Sequence, residues 1–242
     1  MTEETGTRIE NESEEGKKRG RKSRIKGIIG SVVFVVVMGA LLFVPAGTLD
    51  WPVAWVLLGI YCGSLVVHNL VISPDLIEER KRRHKDARPW DRTLVAIISL
   101  AGLATFVIAG LDHRFGWTGP LPLFVQVLGL IFVILSTALV IWAAATNSFF
   151  SSVIRIQSDR GHYVVSGGPY RYVRHPGYAG WIVYTLSLPF TLGSIPALVP
   201  AVFAVGLNIL RTGIEDTTLQ AELPGYREYT GQVRYRLLPG VW

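Results

Sequence analysis

The charged residues of this chain fall in blocks, and the gaps between the blocks constrain its fold more than any other feature. Residues 27–49, 51–74, 93–111, 115–154 and 176–210 contain no Asp, Glu, Lys or Arg. A helix needs roughly 20 apolar residues to cross a bilayer core about 30 Å thick, and it satisfies its own backbone polar groups there. The first four runs therefore predict transmembrane helices near 27–45, 52–72, 93–111 and 123–146. They are longer than barrel strands, which alternate over roughly ten residues, and they are apolar on every face. Only 17% of the 242 residues are charged, against roughly 25% in an ordinary soluble domain. Disordered and collagen-like chains are excluded on the same ground. Cys62 is the single cysteine, which rules out an intrachain disulfide and a cysteine-based zinc cluster.

The fifth run, 176–210, is broken by Pro189, Gly193, Pro196 and Pro200. One helix of that length would be about 52 Å long, too long for one crossing. A hairpin bent near 189–196, with legs near 177–191 and 197–214, fits the prolines. The basic residues argue the same way. Seven Lys and Arg lie in 17–26, seven in 80–92, four in 155–174 and four in 211–236, while Arg114 stands alone after the third span. Cytoplasmic loops carry the basic excess, so both termini, the 73–92 loop and the 147–175 segment are expected on the cytoplasmic side. The fifth run must then cross an even number of times.

The expected architecture is an all-α, multi-pass protein of the cell membrane with N- and C-termini cytoplasmic. It has four transmembrane helices plus a C-terminal helical hairpin and a cytoplasm-facing pocket. Three regions follow. Residues 1–26 form a disordered tail, acidic at first and then basic. Residues 27–146 are the four-helix transmembrane region, and 147–242 include the membrane hairpin 177–214. The long basic block and long apolar run point to a retained anchor rather than a cleaved signal peptide. No aromatic residues interleave the basic block, so nucleic acid is not expected as a partner.

Chemistry is concentrated in the last region. RIQSDRGHYVVSGGPYRYVRHPGYAG (Arg155 to Gly180) is polar and rich in glycine and aromatics. The hairpin brings it to the same membrane face as the segment that starts at Arg211. Arg211 and Glu215 are four apart at the membrane end of the second leg, so they share a helical face and can pair. Ionisable groups at such depth are functional candidates, although an ion pair closing a helix end is the plainer reading. His175 precedes Pro176 and opens the first leg, where free backbone N–H groups favour an anion. Arg174 stands beside it, and an interfacial turn is the alternative. Gly167-Gly168-Pro169 permits close backbone approach to a ligand or makes a simple turn. Tyr170, Tyr172 and Tyr178 could stack on a planar ring or sit in an interfacial belt. Trp142, Phe149, Phe150 and Trp181 could line a lipid entry. His68 and Asn69 read as helix-end contacts and His84 and His113 as loop residues. No metal, P-loop or nucleophile-elbow motif is present.

The run GHYVVSGGPYRYVRHPGYAG, then R-x-x-x-E-D-x-x-L and P-G-Y-x-x-Y-x-x-x-V-R-Y-R-L-L-P after the hairpin, resembles the isoprenylcysteine carboxyl methyltransferase family. That family is grouped with the membrane phospholipid N-methyltransferases. The resemblance covers roughly 147–242. It implies a membrane methyltransferase that takes its methyl group from S-adenosylmethionine, without a metal, and passes it to a lipid or small apolar acceptor through a carboxylate or an amine. It also implies that His162, Tyr163, Val164, Val165, Tyr170, His175, Pro176, Gly177, Tyr178 and Glu215 enclose the cofactor, joined by Arg174 from its position. Gln157 is the nearest match to a family glutamine that touches the cofactor, with a spacing off by about two. Arg211 is the implied substrate residue and, with Glu215, the catalytic pair. The family's acidic pair is often Glu-Glu; here the second member is Asp216, whose role is open. Two other readings compete. A membrane sterol-type reductase using NADPH also ends in tyrosines and a Y-R-x-x-P run, as at Tyr235 to Pro239. A non-catalytic membrane protein would lack a nucleotide-ligand pocket.

Overall fold

A computed structural model describes residue 27, residues 29–81 and residues 88–242 of the chain. The expected tail at 1–26, its basic block and His84 lie outside the described residues. The described residues form helices and turns only. These are α1 (Ile29–Ala46), α2 (Pro52–Val71), α3 (Pro74–Lys81), α4 (Pro89–Phe115), α5 (Leu123–Thr146), α6 (Pro176–Leu192), α7 (Leu198–Glu222) and α8 (Tyr226–Gln232). Single 3-10 turns at Ser158–Arg160 and Gly168–Arg171 punctuate the long α5–α6 connection.

Five of these helices, α1, α2, α4, α5 and α7, are long and apolar enough to cross a membrane. Their outer faces support this reading. Val44, Leu70, Leu123 and Val199 are each at least 74% exposed, an arrangement that costs free energy in water and none in hydrocarbon. The protein is a multi-pass integral membrane protein by that measure.

Three helix ends differ from the sequence expectation, one of them the end of α4, which runs on from 111 to Phe115. α4 starts at Pro89 rather than near 93, because proline is suited to a first helical position; Asp91 and Arg92 thereby join the helix. α7 continues past 214 to Glu222. Its polar residues Asp216 and Thr218 are buried against protein rather than released to solvent, so polarity does not end the helix.

α6 is the innermost helix, packed against α5, α7, α4 and α2. Its contact with α5 is close because two glycines remove side chains at the crossing. A Cβ on Gly129 would fall 2.7 Å from the backbone nitrogen of Thr191, and one on Gly180 would fall 2.9 Å from the carbonyl oxygen of Ser136. The apolar core sits away from the α6 N-terminus, around Leu42, Leu57, Phe106, Val133 and Leu188. The opposite end gathers the start of α4, the end of α5, the start of α6 and the end of α7, and the polar segments converge there.

Candidate active site

The residues after α7 return to the start of α6 as backbone. The N–H groups of Arg174 and His175 donate to the carbonyls of Tyr235 and Arg236, each at 2.9 Å. This docking is fixed by Asp216, which is fully buried. Arg174 reaches it with Nε at 2.8 Å and Nη2 at 3.0 Å. Arg236 Nε donates at 2.8 Å, Gln220 Nε2 at 2.7 Å and the Tyr226 hydroxyl at 3.1 Å. His175 Nε2 lies 3.2 Å from the same carboxylate. Arg174 Nη1 donates to the carbonyls of Val233 and Arg234. Burial disfavours the Arg174 charge, yet bonding to Asp216 holds its pKa above the usual value. The open role of Asp216 is thus a structural one: it joins three segments that are distant in sequence.

A second network lies one turn away. Arg211 donates from Nε to Asp91 Oδ1 at 2.7 Å and from Nη2 to Asp91 Oδ2 at 3.2 Å. Its Nη2 also reaches the Ser152 carbonyl at 3.0 Å, and its Nη1 the Tyr178 hydroxyl at 2.6 Å. Tyr178 in turn donates to Glu215 Oε2 at 2.5 Å. The expected direct pairing of Arg211 with Glu215 is corrected here. Asp91 on α4 offers a two-point partner for the guanidinium, and the Tyr178 hydroxyl stands between the two expected partners. Asp91 is fully buried and also accepts the Ile154 N–H at 2.9 Å, so it ties α4, α7 and the 151–154 segment together.

Both networks border one cavity of about 310 Å³. His162, Tyr163, Val164 and Val165 line it from the α5–α6 connection, together with Tyr170 and Arg174. His175, Gly177 and Tyr178 line it from the start of α6, and Arg211 and Glu215 from α7. Pro176 and Gln157 do not line it. Pro176 is buried as the first residue of α6. Gln157 is buried with its amide bonded to the Phe149 carbonyl at 2.8 Å and to Arg160 at 2.6 Å, so it braces the strip behind the cavity wall. Trp142 lies outside and is 49% exposed, whereas Phe149, Phe150 and Trp181 line the cavity. Asn69 bonds to the Leu65 carbonyl and to Ser31 at a helix end, and Tyr172 points away, exposed.

The cavity wall is aromatic where the polar strip meets it. The Phe149 ring lies 4.4 Å from His162 and 5.0 Å from Tyr163, centroid to centroid. Burial, then the charges of Arg155 and Arg160, push the His162 imidazole down to about 4, so it is neutral at pH 7. Its Nδ1 accepts the Gln157 N–H at 3.3 Å. Burial also raises the Tyr170 phenol; its hydroxyl is held by Asn147 at 3.2 Å and its carbonyl by the Tyr229 hydroxyl at 2.6 Å. Gly177 is required by shape, since a Cβ there would fall 2.5 Å from Phe150 Cε2.

The aromatic strip, the R-H-P-G-Y helix start and the acidic pair on the next helix all fall within the part of the chain that matches a known family. Residues 127–221 match the isoprenylcysteine carboxyl methyltransferase family. The chain is also 36% identical over 64 residues to a "Probable protein-S-isoprenylcysteine O-methyltransferase" of Oryza sativa subsp. indica, and equally to one of subsp. japonica. That alignment takes in 26% of this chain and 34% of each relative. The matched segment runs from α5 into α7, and so contains every cavity residue named above from Asn147 to Glu215. Asp91 lies outside it. Sequence reasoning missed Asp91, whose one local signal is an acid just inside a proline-opened helix. Tyr226, Tyr229 and Arg236 were visible only as part of a motif.

Proposed function

We propose that the chain is an integral membrane methyltransferase that transfers a methyl group from S-adenosylmethionine to the carboxylate of an apolar, lipid-like acceptor of the prenylcysteine type. The observation that carries this reading is the convergence of the 162–165 strip, the start of α6 and Glu215 on one cavity within the family-matched segment. The cavity residues suit the cofactor chemically. Aromatic faces at Phe149 and Tyr163 suit its adenine. The free N–H groups at the start of α6 suit its head carboxylate. Glu215, the cavity carboxylate that no guanidinium binds directly, suits its amino group and positive charge.

The cofactor, when bound, supplies an electrophilic methyl on a sulfonium. The chain's own residues have the task of alignment, which can account for several kcal/mol of barrier. Arg211, fixed at two points by Asp91, orients the acceptor through its one remaining N–H, on Nη1. Tyr178 keeps Arg211 and Glu215 in one register. Phe149 and Phe150 shield the reacting end from water. A carboxylate acceptor needs no proton removed, so no base is required. An amine acceptor would need one, and Glu215 is the cavity residue suited to that part.

In this reading α6 and α7 form a hairpin beside four transmembrane helices. The cavity opens to the cytoplasm, as the basic residues around it direct, and 147–242 form the methyltransferase region. The cofactor then enters from water and the acceptor from the bilayer. The test is to measure binding of S-adenosylmethionine and of NADPH to the purified protein in detergent, then methyl transfer to N-acetyl-S-farnesylcysteine. We expect S-adenosylmethionine binding and methyl ester formation. Tight NADPH binding without S-adenosylmethionine binding would replace this reading with that of a reductase.

A further inference from the structure

Among the described residues four arginines line the cavity, and three of them already hold a carboxylate. Arg155 binds Glu79 and Asp159, Arg174 binds Asp216, and Arg211 binds Asp91. Arg80, at the end of α3, has no carboxylate partner among the described residues. Its guanidinium carbon lies 5.3 Å from the centroid of the Phe150 ring, and the Cε2 and Cζ atoms of that ring lie close to Gly177 at the start of α6. Burial pushes the Arg80 pKa down, as expected for a charge withdrawn from water without compensation. Arg155, which also lines the cavity, has its Nε buried without a hydrogen-bond partner, on a side chain only 7% exposed. Native structures leave few such groups.

The Asp91–Arg211–Tyr178–Glu215 chain sets two carboxylates against one guanidinium. It therefore suits a cationic cofactor and repels an anionic acceptor. We propose that Arg80 forms the anion-binding subsite that receives the carboxylate headgroup of the apolar acceptor. Arg211 then orients the headgroup, and Arg80 supplies the compensating charge. The Phe150 ring beneath Arg80 attracts the guanidinium through its π face, and Ile98, Val140 and Trp181 line the same cavity, giving apolar surface against which a lipid tail can lie. This subsite rests on the methyltransferase reading.

The test uses the full chain in detergent and two probes, N-acetyl-S-farnesylcysteine and its uncharged carboxamide, with S-adenosylmethionine affinity measured on the same samples. Wild type is expected to bind the acid about tenfold tighter than the amide, the scale of one charge-assisted contact. Arg80→Ala should abolish that preference, Arg80→Lys should retain most of it, and both should keep wild-type S-adenosylmethionine affinity, which also reports correct folding. Preference for the acid persisting in Arg80→Ala, or absent in wild type, overturns the subsite. Wild type that binds S-adenosylmethionine without acid preference refutes the subsite alone. Wild type that fails to bind S-adenosylmethionine refutes the methyltransferase reading, and the acid-to-amide ratio still decides whether Arg80 holds an anion.

Discussion

Arg211 and Asp91 are 120 residues apart in sequence and share two hydrogen bonds, at 2.7 and 3.2 Å, in a fully buried contact between α7 and α4. Removing one partner of a buried pair leaves an uncompensated charge and typically costs about 3–5 kcal/mol. Asp91→Ala is therefore expected to lower thermal stability strongly. Asp91→Asn should preserve the shape while loosening Arg211, with methyl transfer falling about 10- to 100-fold. A double-mutant cycle with Arg211→Ala should give a coupling of about 1–3 kcal/mol. Simple additivity of the two single changes would show that the contact does not act as a pair.

Adjacent carboxylates on α7 have opposite surroundings. Asp216 is fully buried and bonded to Arg174, Arg236, Gln220 and Tyr226, while Glu215 is half-buried on the cavity. Asp216→Asn should cost about 3–5 kcal/mol, because two guanidinium groups lose their anion, and should expose residues 233–242 to protease. Glu215→Gln should leave melting within a few degrees of wild type and weaken S-adenosylmethionine binding about tenfold or more. Thermal unfolding and cofactor titration of the two variants separate these roles. Equal effects of both substitutions on melting would contradict the division.

The long apolar helices are legible in the sequence because lipid demands uninterrupted apolar runs; α7 outruns its charge-free stretch to reach Glu222, and the short polar helices α3 and α8 are marked by none. The cavity strip and the R-H-P-G-Y start of α6 are legible because their glycines, prolines and aromatics break that pattern in a family-specific way. Asp91 is not legible for the opposite reason. It sits in a basic stretch whose charge reads as a topology signal, and only the packing of α4 on α7 gives it a partner. Arg211 and Glu215 mislead for a related reason. Their i, i+4 spacing permits pairing, but a two-point bond to a buried aspartate competes better for a guanidinium than a partner already held by a tyrosine hydroxyl.

His162 gives a pH signature that isolates the strip from the rest of the site. Its folded pKa is about 4, below the unfolded value of roughly 6.5. Between those values the unfolded chain binds more protons than the folded one, so stability declines as pH falls through that window. His162→Gln should flatten the dependence of melting temperature on pH between about 6.5 and 4, with little change near pH 8. Superimposable pH profiles for variant and wild type would place the burial of this imidazole elsewhere.

Among the described residues, Tyr178 is the one group bonded to both members of the proposed catalytic pair. Its hydroxyl accepts from Arg211 at 2.6 Å and donates to Glu215 at 2.5 Å, while its ring lies 5.4 Å from the Arg211 guanidinium carbon. Tyr178→Phe retains the ring and that cation–π contact but deletes the bridge. A lost hydrogen bond to charged groups is worth about 1.5–3 kcal/mol, and part of it will appear as stability. If the bridge aligns acceptor and cofactor, the remainder appears in turnover. Methyl transfer should then fall about tenfold or more, with S-adenosylmethionine affinity changed by less than threefold. Turnover at the wild-type rate, with destabilisation alone, would make the bridge a structural brace and leave Arg211 to be aligned by Asp91.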